Sequence, residues 1–99
     1  MSDGYSCDNT FFAAALCYLY GDEALLKIAF FNKQRQFHFD IASLDGEEYS
    51  KEFKTGTLAI SDLLSYSRSY SYLNRILFSM NRSNTTTWNS ESWIAGRGK

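Results

Sequence analysis

The segment Arg35–Ala42, RQFHFDIA, alternates without a break, with Phe37, Phe39 and Ile41 on one side and Gln36, His38 and Asp40 on the other. A period of two over this length is a strand with one buried face. A second apolar run, ALLKIAFF at Ala24–Phe31, precedes it, and the polar triplet Asn32-Lys33-Gln34 between them is a turn. The pair reads as a β-hairpin. An isolated hairpin is marginal in water, so helices must cover its apolar face or a second copy of the chain must extend it. That requirement confines the fold to an α+β arrangement and makes a homodimer an expectation.

Three further segments have helical character. Asp8 stands at an N-cap position ahead of Phe11, Phe12, Ala15, Leu16 and Leu19, and Gly21 is a natural stop, which predicts a helix over about residues 9 to 20. Asp45 and Glu48 have capping-box spacing, and the run to Gly56 predicts a short second helix with Tyr49 and Phe53 on its inner side. The stretch SYSRSYSYLNRILFSM, Ser65–Met80, can be read in two ways. Its tyrosines alternate with serines as on a strand, yet Leu63, Tyr66, Tyr70, Leu73, Leu77 and Met80 recur at the three-then-four spacing of one helix face. The alternation fails after Tyr72, and Ser61 with Asp62 gives the start signal of a helix, so the helical reading prevails.

The resulting order is helix, strand, strand, helix, helix. This αββαα pattern is an α+β domain with a two-stranded antiparallel sheet over residues 1 to 82. The polar run RSNTTTWNSESWIAGRGK reads as a flexible C-terminal tail over residues 83 to 99, with Trp88 and Trp93 docking back or awaiting a partner. At 99 residues the chain has room for one core, and its 44% hydrophobic content excludes a disordered chain. The absence of proline argues against a loop-rich β-sandwich. No apolar run is long enough for a membrane span, TFFAAALCYLY lacks the basic lead of a secretion signal, and Cys7 and Cys17 do not form a CxxC pair. These features lead to the expectation of a soluble, cytoplasmic protein with free thiols.

The pattern DNTFFAAALCYLYG, a Leu-rich strand, FHFDIA, an acidic helix ending in TG and a closing amphipathic helix resembles a family of small prokaryotic and phage proteins of unknown function. The resemblance spans about residues 8 to 80. It implies a small αββαα domain of bacterial, archaeal or phage origin, acting in the host cytoplasm if phage-encoded, and brings no catalytic residues with it.

Candidate chemistry is sparse. His38 and Asp40 share the outer face of a strand but have no partner nucleophile, and Asp45, Glu47 and Glu48 read as a charged helix start rather than a metal cluster. The closing GRGK is no phosphate loop. The expectation is therefore a protein that is not an enzyme and needs no metal or cofactor.

Charge is distributed unevenly behind a net value of −1. Residues 1 to 50 carry eight acids against three bases, whereas residues 51 to 99 carry three acids against seven bases. Two binding functions fit this. The first is protein contact as an inhibitor or adaptor, such as an anti-defence role of the anti-CRISPR kind, with the excess of tyrosine and tryptophan, Trp88 and Trp93 among them, as aromatic anchors. The second is a nucleic-acid-binding regulator using Arg68, Arg75 and Arg82, which stand seven apart on one helical stripe, with Tyr72, Trp88 and Trp93 available for stacking. Protein contact is the preferred expectation, because three cations are few for a binder of DNA or RNA phosphates.

Overall fold

The computed structural model describes residues 4–31 and 34–89. The elements are β1 (Tyr5–Cys7), α1 (Thr10–Tyr20), β2 (Leu25–Phe31), β3 (Gln34–Phe39), α2 (Ser43–Thr55), α3 (Leu63–Arg82) and β4 (Thr87–Asn89), with a 3-10 turn at Asp22–Ala24. The α+β class and the helical reading of Ser65–Met80 hold. The hairpin holds as well, with β2 and β3 antiparallel and Phe37 opposite Ile28.

Among the described residues the sheet has four strands and not two, in the order β1-β3-β2-β4. A bare hairpin leaves a row of unpaired backbone groups along each edge. Here the two ends of the described chain fill them: Ser6 pairs with His38 on one side and Trp88 with Ile28 on the other. Each added strand has three residues, too short to display a period of two. With both hairpin edges covered from within the chain, the requirement for a second copy to extend the sheet disappears.

The tail prediction changes for the same reason. After α3 the chain reverses through Asn84, whose φ of 58° is left-handed and suits asparagine. The Thr85 amide donates to the Met80 carbonyl at 2.9 Å and the Phe30 amide to the Thr86 carbonyl at 2.8 Å, which delivers Thr87–Asn89 to the sheet. Trp88 is then only 8% exposed and belongs to the core.

The helices cover one face of this sheet. Residues Phe12 to Cys17 of α1 are buried without interruption, so this helix has no solvent side along its middle. The Phe12 ring meets Tyr5 of β1 edge-on at 6.1 Å and Phe53 of α2 at 5.1 Å, while Phe11 stacks on Tyr70 of α3 at 5.3 Å. Ile28, Phe37 and Phe39 complete the core from the sheet, and Tyr49 and Phe53 pack against it from α2.

Helix starts differ from expectation by a residue or two, and each difference has a local cause. Asn9, not Asp8, caps α1, its Oδ1 accepting from the Phe11 and Phe12 amides at 2.8 and 3.1 Å. Asp62, not Ser61, caps α3 through the Ser65 amide, and Ser61 instead meets the Tyr18 hydroxyl at 3.2 Å. α2 begins at Ser43, which places Asp45 inside its first turn where it favours the helix dipole without forming a capping box. Its stop at left-handed Gly56 is as expected. The buried line of α3 is Ser69, Leu73, Ile76 and Met80, with Tyr66, Tyr70 and Leu77 half-buried beside it and Leu63 72% exposed. Buried Ser69 has a polar partner, its hydroxyl donating to Asp22 Oδ1 at 3.2 Å.

Two substitutions test this packing. Alanine is the better helix former by about 1 kcal/mol, yet a Cβ at Gly46 of α2 would overlap the Tyr5 ring. Gly46→Ala should therefore destabilise the fold by roughly 1–3 kcal/mol, read as a lower urea midpoint, and adding Tyr5→Leu should restore part of the loss. Trp88→Ala should destabilise by about 3–5 kcal/mol, as expected for a large aromatic removed from a core. A free tail at this position would instead leave the urea midpoint unchanged.

Candidate interaction surface

A 20-residue helix is about 30 Å long, and α3 carries no acidic residue from Leu63 to Arg82. Opposite its buried line runs an outer row at alternating four- and three-residue steps: Leu64, Arg68, Ser71, Arg75, Phe78 and Arg82. At about 100° per residue these side chains stay within about 40° of one line along the helix. All six are exposed. Leu64 and Phe78 leave 63% and 62% of their surface in solvent, and the Arg82 guanidinium lies over the Phe78 ring at 5.7 Å.

Beside the row lies a groove of about 710 Å³ between α1, α3 and the hairpin. Phe11, Phe30, Tyr70 and Phe78 give it aromatic walls, and Asn74 and Asn81 add amides. Its geometry is fixed from several directions. The Tyr66 hydroxyl donates to the Phe11 carbonyl at 3.0 Å, Phe11 stacks on Tyr70 with rings 6° from parallel, and Arg35 donates to Thr10 Oγ1 at 3.3 Å while lying over the Phe30 ring at 5.8 Å. Phe11 remains 56% exposed. Apolar rings held in this way and bordered by guanidinium groups are the composition of a contact surface, in which aromatic residues and arginine supply most of the binding energy.

The structure brings Arg68, Arg75 and Arg82 together on the α3 row and separates the aromatic residues predicted to act with them. Tyr72 is half-buried and packs against the core rather than standing outside. Trp88 lies in the core beneath β4. Trp93 lies outside the described residues. Leu64 and Phe78, absent from the sequence-derived set, lie on the row, and their signal was the three-and-four spacing to the arginines. Phe11, Phe30 and Arg35 come together only through tertiary packing, so no local pattern could have joined them.

Elsewhere the candidate chemistry stays quiet. Burial pushes the Cys7 thiol up to about 12 and raises Cys17 as well, so both are protonated at neutral pH and poor nucleophiles. No hydrogen bond joins His38 to Asp40 among the described residues, and no three metal-ligating side chains cluster there. No helix among the described residues is long and apolar enough to cross a membrane. No family model, curated protein or solved structure matches the chain.

His38 has a measurable consequence for stability. Burial first, and then the Lys27 charge on the adjacent strand, hold its pKa below the usual 6.5. The unfolded chain therefore binds a proton more readily than the folded one in the interval below 6.5. The stabilisation from neutral His38 is complete above that interval and is lost as pH falls through it. Urea midpoints should decline as pH falls below about 6.5, and His38→Gln should flatten that decline.

Proposed function

We propose that this protein acts by contacting another protein, as an inhibitor or adaptor, through the outer row of α3 and the aromatic groove beside it. One observation carries the reading: Phe11 and Phe78, both more than half exposed, line one groove and border an arginine row instead of being scattered over the surface. Contiguous exposed apolar surface rimmed by polar groups marks a binding face. Burial keeps the Cys7 and Cys17 thiols protonated at neutral pH, and this reading assigns them and His38 no role.

A nucleic-acid reading has its own support in the shared exposure of Arg68, Arg75 and Arg82, because guanidinium groups on one helix face could meet successive phosphates. Their number is small for that task.

The test is affinity capture from the native host after nuclease treatment, with the full chain as bait. A specific polypeptide should be recovered, and Phe11→Ala or Phe78→Ala should weaken its binding by about 2 kcal/mol or more while leaving the circular dichroism spectrum intact. If nothing is recovered, and labelled DNA or RNA is shifted at about 50 mM salt and released at about 200 mM, the nucleic-acid reading replaces this one.

A further inference from the structure

We infer that the α3 row receives an acidic amphipathic helix of the partner protein, a deduction that rests on the protein-contact reading above and names the kind of partner. The row has the form of a seam. Leu64, Ser71 and Phe78 stand seven apart, Arg68, Arg75 and Arg82 stand seven apart, and the two series interleave at four and three. This is the spacing by which one helix packs along another, and a shared supercoil takes up the small drift of a seven-residue repeat.

Position by position, the seam states what it will accept. Leu64 and Phe78 offer apolar contact near its two ends, and Ser71 leaves a shallow place between them. The arginines fall at intervals of about 10.5 Å along the axis, so a partner helix with a carboxylate every seventh residue meets all three in register. With no acid anywhere from Leu63 to Arg82, the helix does not neutralise them from within; Asp62, just ahead of it, acts on Arg68 alone, and the Arg75 side chain makes no hydrogen bond or ion pair among the described residues. Charge of one sign on such a row both attracts an acidic partner and repels basic ones.

A second copy of the chain is a poorer match. α2 exposes Asp45, Glu47, Glu48 and Glu52, but Lys51 and Lys54 stand exposed among them and would meet the arginines with like charge, and two α3 rows would set arginine against arginine.

The experiment uses the full chain and fluorescein-labelled peptides read by anisotropy at about 50 and 200 mM salt. One peptide of about three heptads has Glu at one heptad position and Leu at the neighbouring seam position in an alanine host; a second has the same composition with Glu every fifth residue. An oligothymidylate of similar charge is the third probe. The heptad peptide should bind roughly tenfold or more tightly than its respaced control, and the triple variant Arg68→Glu, Arg75→Glu, Arg82→Glu should lose it. That variant should in turn bind the heptad peptide rebuilt with Lys in place of Glu, which excludes misfolding as the cause of the loss. Equal binding of the two acidic peptides would overturn the inference and leave protein contact standing. Binding of oligothymidylate but of neither peptide would overturn both. Binding of no probe, or a dimer by light scattering that the charge reversal dissolves, would overturn the assignment of the row to an acidic partner helix.

Discussion

The uninterrupted burial of α1 is the constraint on which the rest of the structure depends. A helix with a solvent face can sit at the edge of a core, but one buried from Phe12 to Cys17 must be enclosed. The sheet provides one wall. α2 and α3 provide the flanks through Phe53 and Tyr70, and the connector after α2 is tied down where Tyr18 meets Ser61 and accepts from the Asp62 amide at 3.3 Å. The three successive alanines, Ala13 to Ala15, let these walls approach closely, because a larger side chain there would hold them apart. Once α1 occupies the centre, α3 can only lie outside it, and among the described residues the side of α3 turned away from α1 has no neighbour to cover it.

That outcome explains how a chain of nearly balanced charge presents a basic surface. The acids of the second half are few, and within α3 there are none. Serines at 65, 67, 69 and 71 keep the first half of the helix slender, and Arg68 stays exposed between Leu64 and Tyr72. Asp62 sits at the helix start, where hydrogen bonds from Ser65 hold its carboxyl below the usual carboxylate range, and it serves the cap more than the row. The basic character of the row thus comes from where the acids are absent, and net charge hides it.

The hairpin, the three helices of the described residues and the glycine stops of α1 and α2 could be read in the sequence, because each rests on a repeated pattern or a local backbone requirement. Phe37, Phe39 and Ile41 alternate over enough residues to declare a buried face, and Gly21 and Gly56 end helices with positive φ values of 98° and 78°. The arginine row followed from counting by sevens. The outer strands were hidden for an equally physical reason: Tyr5–Cys7 and Thr87–Asn89 owe their conformation to an edge already formed by other residues, and three residues have no periodicity of their own. Trp88 was ambiguous because a tryptophan in polar company is equally apt for a core or an interface, and only its strand pairing opposite Ile28 decides between them. The groove was the least legible part, since it joins Phe11, Arg35 and Phe78 from elements distant in sequence.

The same edge strands set an order on how the molecule can be made. Ile28 and Trp88 are paired across sixty positions of the chain, whereas β2 and β3 are neighbours. During synthesis the hairpin, α1 and α2 emerge well before Thr87–Asn89, so the edge of β2 that β4 covers stays open until the ribosome has passed Asn89. An unpaired edge beside Ile28 is a template for other chains in a crowded cell. The last strand therefore works as a closing latch, and the interval before it arrives is when a nascent copy is most exposed to misassembly and has most use for a chaperone.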